Sequence, residues 1–187
     1  GGAQGHRRRS GGSERHDGRM APAPLLILGA GGFGREVVDV IDAINAAPRG
    51  PVWQLMGFVD DGTPPPQLLD RLGIPLLGAR DVLADHDGSW YVVGVAAPEA
   101  RRALAASAAA GLRAATLVHP TATVGRDTSL GEGSILCAHT DVTTHVSVGR
   151  HVHVDRQVTI GHDCVLADRV TLHPGATISG AVSLGEG

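Results

Sequence analysis

The chain has 187 residues, 42% apolar, 19% charged and 3% aromatic, with a net charge of −3. That length buries a core without disulfides or metal, and that balance excludes both a disordered chain and a membrane-spanning one. All 16 of its cationic side chains are arginine, which excludes Schiff-base chemistry, a lysine nucleophile and a Walker P-loop. Five of those arginines fall within residues 1–20, so the remainder is acidic and repels phosphate backbones. Five aromatics (Phe33, Trp53, Phe58, Trp90 and Tyr91) are too few to stack single strands. Neither a nucleic-acid nor a membrane partner is expected. Cys137 and Cys164 cannot build a disulfide framework and point to a reducing, cytoplasmic compartment.

Residues 1–22 contain no apolar run, so they read as a disordered tail rather than a secretory signal. Met20 reads as the true start, which makes the residues before it a cloning or gene-calling artefact. Residues 23–114 then alternate short apolar runs with helical patterns. Strands are expected at 25–28 (LLIL), 54–59 and 90–95 (WYVVGV), with an edge strand at 74–77. Helices are expected at 35–46, where Val37, Val38, Ile41 and Ile44 form one stripe, and at 98–110. The prolines at 64–66 read as a loop. This alternation predicts a small Rossmann-like parallel sheet with helices on both faces. Arg101 and Arg102 read as solvated charges on the second helix.

The loop between the first strand and first helix, Gly29-Ala30-Gly31-Gly32-Phe33-Gly34, fits G-x-G-x-x-G. Its amides and the helix N-terminus suit a phosphate, and a plain tight turn fits the same residues. A dinucleotide site wants an acid about 20 residues further on. Asp60 and Asp61 lie at the end of the second strand, where a ribose or base would meet them.

Residues 115–187 follow a different period. An aliphatic residue recurs every six positions from Val118 to Leu184, twelve times without a miss. A small or β-branched residue stands four positions after each (Ala122, Thr128, Ser134, onwards to Val182), and both sets point inward. Glycine follows the aliphatic residue at 125, 131, 149, 161 and 185, which permits a tight turn. A hexapeptide repeat of this kind reads as a β-helix with three short strands per turn, so residues 18 apart stack. Each inward aliphatic contributes roughly 1.5–3 kcal/mol of burial. The periodicity leaves the hand of the coil open.

GAGGFG after an N-terminal strand, GFVDD at 57–61, LVHPTATVG at 117–125 and TIGHDC at 159–164 together resemble the sialic acid O-acetyltransferase and UDP-4-amino-sugar N-acetyltransferase family. The resemblance covers about residues 24–187. It implies a left-handed β-helix, a homotrimer with active sites between subunits, and transfer of an acetyl group from acetyl-CoA to a sugar amine or hydroxyl. It also implies that the N-terminal domain holds a nucleotide sugar, through Gly29, Gly31, Gly32, Phe33, Gly34, Asp60 and Asp61. His162 matches the family's catalytic histidine and Asp163 its acidic neighbour. Thr171, His173 and Gly180 are expected near the donor or acceptor. The sequence departs from the family where Thr171 replaces a second histidine and Asp155 replaces an asparagine. It also stops at Gly187 in mid-repeat, which reads as a C-terminal truncation.

Acyl transfer from a thioester needs a base that takes the nucleophile's proton, and a neutral histidine does this near pH 7. His162 stands two places after an inward aliphatic and points out of the prism. Successive strand residues face opposite ways, so a His162–Asp163 pair needs a bend between them. His145, 18 residues before Asp163, is expected to pair with it across coils. Cys164 sits at an inward position unsuited to carrying an acyl group, so transfer is expected to be direct.

Alternative readings are a non-catalytic trimeric scaffold, a dehydrogenase using the glycine loop, and a zinc protein similar to gamma-class carbonic anhydrases. The zinc reading wants a histidine where Ala167 stands. His151 and His153 then read as a surface pair, and the column of His119, Cys137, Asp155 and His173 as packing, with no metal.

Overall fold

The computed structural model describes residues 21–187; the expected tail lies almost entirely outside them. Strand β1 (Ala23–Leu28) is central in a five-stranded parallel sheet. Its neighbours are β2 (Trp53–Val59) and β4 (Trp90–Val93), flanked by β3 (Leu76–Gly78) and β5 (Arg113–Ala114), in the order β3-β2-β1-β4-β5. Helix α1 (Gly32–Asn45) covers one face, and α3 (Pro98–Ala108) with a 3₁₀ turn at Arg80–His86 covers the other. The pleat of β1 divides the two cores. Leu25 and Ile27 pack with Val37, Val38 and Ile41, whereas Leu26 and Leu28 pack with Leu83, Ala105 and Ala108. A further helix, α2 (Pro66–Leu72), begins on the last of the three prolines that read as a loop. Proline fits the first helical position because its missing N–H is unbonded there in any case.

Among the described residues, twelve two-residue strands follow, from Leu117–Val118 to Ser183–Leu184. They stack into three parallel four-stranded sheets, the faces of a prism. The first face holds Leu117–Val118, Ile135–Leu136, His153–Val154 and Thr171–Leu172. The second runs from Thr123–Val124 to Thr177–Ile178, and the third from Ser129–Leu130 to Ser183–Leu184. The register is 18 residues throughout, as in Asp141 beside Thr159 and Val142 beside Ile160. Inward aliphatics and the small residues four positions on, including Val152, Val158 and Cys164, form one buried column.

The turns differ from the sequence expectation. The glycines after the aliphatics do not adopt positive φ. The backbone turns three residues after each aliphatic, where Asp127, His139, His145, His151, Gln157, Asp163, Arg169 and Ala181 are left-handed, with φ between 54° and 63°. Asp and His tolerate this region better than most side chains. The glycines serve close stacking instead. A Cβ on Gly131 would lie 2.4 Å from the Gly149 backbone, and one on Gly161 2.6 Å from the Gly180 nitrogen.

The N-terminal domain sits on the first face of the prism. Leu117, Ile135 and Cys137 join the α1 core, and the Cys137 thiol is pushed up to about 12, chiefly by burial. Arg101, read as solvated, is fully buried. Its guanidinium donates to the carbonyls of Val95 (3.1 Å), Ala96 (2.6 Å), His151 (2.8 Å) and Arg169 (3.1 Å) and to Thr171 Oγ1 (2.6 Å). Burial, and secondarily the Arg169 charge, lower its pKa to about 10, so it stays cationic at neutral pH. His151 and His153 are not a surface pair. His153 is 1% exposed and stacks on Phe33 at 4.5 Å, and His151 stacks on Tyr91 at 6.0 Å. An exposed Arg156–Glu36 ion pair at 3.1 Å closes the other side.

Two predictions follow from stacking and burial. Gly131→Ala is expected to destabilise by roughly 1–3 kcal/mol through overpacking. Gly185→Ala, whose Cβ meets nothing within 4 Å, should change stability by less than about 0.5 kcal/mol in the same melts. Burial, then the Arg101 charge, hold His153 well below its usual 6.5, with the Val93 backbone opposing. Below pH 6.5 the unfolded chain therefore binds a proton that the folded chain refuses, and stability falls as pH drops. His153→Phe, which stacks without titrating, should show a shallower loss of melting temperature between pH 7.5 and 5; an unchanged slope would contradict this.

Candidate functional site

The candidate residues fall in two places. The first is the corner between the second and third faces. Here the bend that a His162–Asp163 pair requires is the left-handed turn at Asp163, φ 58°. It swings the carboxylate back onto its neighbour, and His162 Nδ1 lies 2.7 Å from Asp163 Oδ2. A carboxylate only accepts, so Nδ1 carries the proton and Nε2 keeps its lone pair. Asp163 N–H donates to the Thr144 carbonyl (3.2 Å) and Ala181 N–H to the His162 carbonyl (2.7 Å), which fixes the turn between adjacent coils. Both side chains remain more than half exposed.

Gly180, one coil on, lies directly against the His162 ring. A Cβ there would stand 2.6 Å from Nε2 and 2.7 Å from Cε1. Cys164 is fully buried inside the prism, its Sγ 3.1 Å from the Ser179 carbonyl. His145 is placed as expected, with Nδ1 3.8 Å from Asp163 Oδ1. Thr171 and His173 lie elsewhere: Thr171 is on the first face, bonded to Arg101, and His173 is exposed beyond it. Among the described residues, no group of three or more His, Cys, Asp or Glu side chains is placed to hold a metal ion.

The second place is the crevice at the carboxyl ends of β1, β2 and β4, where the strand order reverses and open α/β sheets bind ligands. Gly29 turns the chain at φ 102°, and a Cβ on Gly34 would lie 2.0 Å from the Gly29 carbonyl oxygen, so both positions require glycine. Gly31 and Gly32 are exposed with open space above them, whereas Phe33 faces His153. Asp60 shapes the loop by accepting from Ala30 N–H (2.7 Å) and Gly62 N–H (2.8 Å). Asp61 accepts from the backbone N–H (2.9 Å) and Nε (2.7 Å) of Arg80, which hold its carboxyl below the usual range.

Sequence reasoning missed Arg80, the one cation among the described residues lining this crevice, because its partner lies 19 residues away. The crevice is about 180 Å³, below the ~300–1,000 Å³ of whole-ligand pockets.

Comparison with known proteins finds matches to both halves of the chain. The family described as "PglD N-terminal domain" matches residues 24–108, and "Bacterial transferase hexapeptide (six repeats)" matches residues 145–180. GDP-perosamine N-acetyltransferase of Escherichia coli O157:H7 is 28% identical over 158 residues, 83% of this chain and 70% of that protein. The crystal structure of a histidine-to-alanine mutant of GDP-perosamine N-acetyltransferase from Caulobacter crescentus, in complex with CoA and GDP-perosamine, superposes with a TM-score of 0.77 at 23% identity. It matches over 89% of this chain and 76% of that one. WeeI from Acinetobacter baumannii AYE gives a TM-score of 0.71 at 25% identity, over 85% of this chain and 73% of its own. The chain therefore joins a region similar to the PglD N-terminal domain to a region of transferase hexapeptide repeats, and its prism is a left-handed parallel β-helix.

Gly180→Ala is expected to push the His162 ring off Asp163. The loss of the Nδ1–H signal in imidazole NMR, at a melting temperature close to that of the parent, is the expected result.

Proposed function

We propose that this protein transfers the acetyl group of acetyl-CoA to the amine of a sugar carried on a nucleoside diphosphate. The observation that carries the proposal is the His162–Asp163 pair, which leaves Nε2 free as a general base on the outside of the prism. Nε2 takes a proton from the amine as its nitrogen bonds to the thioester carbonyl carbon. The tetrahedral intermediate collapses, the C–S bond breaks, and the imidazolium returns the proton to the departing sulfur. Asp163 orients the ring and stabilises its charged form. Cys164, buried beneath, has no part in a covalent relay.

In this reading residues 23–114 bind the acceptor, through the Gly29–Gly34 loop and the crevice closed by Asp60, Asp61 and Arg80, and residues 115–187 carry out transfer. The GDP-sugar named for the relatives supports a nucleotide sugar as the acceptor class. A homotrimer is supported by geometry. The N-terminal domain covers the first face, whereas His162 stands on the opposite corner, so an acceptor held by one copy meets the base of a neighbour. Two unpaired cysteine thiols support a cytoplasmic setting. Among the described residues, no helix is long and apolar enough to cross a membrane.

His162→Ala is expected to lower kcat by about 10²–10⁴-fold with the fold intact, assayed as CoA release with GDP-perosamine or a UDP-amino sugar. Retained turnover would remove the base assignment. Calorimetric titration with acetyl-CoA, GDP, UDP and NAD, beside the mass by light scattering, separates the readings. Binding of acetyl-CoA and a nucleoside diphosphate to a particle of three 19.2 kDa chains is expected. NAD binding alone would favour a dehydrogenase, and a folded trimer that binds nothing would favour a scaffold.

A further inference from the structure

The mechanism above uses His162 and Asp163 and leaves the rest of their corner unassigned. Three side chains stack there at 18-residue intervals. Asp127, His145 and Asp163 all occupy the left-handed turn position, with φ of 56°, 56° and 58°. Equal backbone angles aim their Cβ atoms the same way, so the column follows from the repeat itself. The backbone holds it in register: His145 N–H donates to the Arg126 carbonyl (3.1 Å), and Asp163 N–H to the Thr144 carbonyl (3.2 Å). The result is an alternating ladder. His162 Nδ1 stands 2.7 Å from Asp163 Oδ2, Asp163 Oδ1 stands 3.8 Å from His145 Nδ1, and His145 Nε2 stands 3.5 Å from Asp127 Oδ2. Among the described residues, the charged or titratable groups of this corner are Arg126, Asp127, His145, His162, Asp163 and the inward-facing thiol of Cys164.

We propose that His145 is a positioning residue for the transfer reaction, one that fixes the Asp163 carboxylate so that it in turn fixes the base. The inference rests on the reading of His162 as that base. A carboxylate with one oxygen engaged can still rotate about its Cβ–Cγ bond. Asp163 is more than half exposed, and water competes for the oxygen that His162 needs. His145 Nδ1 stands 3.8 Å from the second oxygen, longer than a hydrogen bond but close enough for an electrostatic contact that biases the carboxylate against turning away from His162. Asp127 Oδ2, 3.5 Å from the far nitrogen, biases the His145 ring toward this orientation. Stability does not explain the arrangement, because ion pairs this exposed contribute little to folding. Orientation does, because catalytic groups lose rate steeply when a supporting partner leaves them free to turn.

The test uses the full chain. His145→Ala is expected to lower kcat about tenfold, with KM for acetyl-CoA unchanged. Ala181 shows that alanine is accepted at this turn position. His145→Asn, which keeps a donor toward Asp163 and tolerates the left-handed turn, should restore most of the loss. In an Asp163→Asn background, His145→Ala should cost nothing further, because the two act in series. Imidazole NMR of the ligand-free protein gives a readout independent of turnover: His145→Ala should reduce the Nδ1–H tautomer of His162. Full activity and an unchanged His162 tautomer in His145→Ala would overturn the proposal, as would an equal loss in both backgrounds. His162→Ala measured alongside separates the two failures. If it is inactive while His145→Ala is not, only the positioning role falls; if it stays active, the base reading falls first.

Discussion

The 18-residue stack is the constraint on which the rest of the structure depends. In the first three coils the first N–H of each strand reaches the carbonyl of a residue 17 positions on, as in Ile135 to Val152 and His153 to Val170, both at 2.9 Å. Residues a coil apart are thereby held one strand spacing apart, whatever their side chains. Buried aliphatics meet aliphatics, and corner residues meet corner residues. The glycine at 161 and the glycine at 180 are two sides of this rule. One lets the coils approach, and the other leaves room for an imidazole where a side chain would otherwise stand.

The three faces are equivalent in backbone and different in their outward rows. The first presents Leu117, Ile135, His153 and Thr171, the first three buried beneath the N-terminal domain. The others present Thr123, Asp141, Thr159 and Thr177, and Ser129, Ser147, Val165 and Ser183. Covering only the first row leaves the opposite corner uncovered. The docked domain is held by apolar contact and by Arg101, a buried cation whose partners are carbonyl and hydroxyl oxygens rather than a carboxylate. Spreading one charge over several oriented dipoles meets the need to satisfy a buried guanidinium without burying an anion beside it.

Much of this was legible in the sequence because it is periodic or local. The aliphatic register from Val118 to Leu184 marks every inward strand position, and the run LLIL marks the central strand. The condition for a His162–Asp163 pair was also legible, since adjacent residues meet only across a bend. Its position was not: glycine drew attention one residue after five of the aliphatics, while the turn falls two residues later, mostly on non-glycine residues such as Asp163 and His145. The other misreadings share one cause. Arg101 and His153 read as surface residues, and Arg80 went unremarked, because their partners lie many residues away or on the other domain. Leu117 and Ile135, which open the outward row of the first face where the other faces carry Thr, Ser and Asp, were the signal that something covers it.

Arg101 has a mechanical consequence. Its acceptors include carbonyls at the ends of the second and third coils and the first side chain of the fourth. Stacked coils otherwise interact only with their neighbours and fray independently. Here, opening the third or fourth coil would strip partners from a cation with no water to replace them, so local opening is tied to release of the whole N-terminal domain. Amide exchange along the coils from 135 onward is therefore cooperative rather than graded. The His162 corner shares its coil with the Arg169 carbonyl, so Arg101 bears on it from the far side of the prism without touching it.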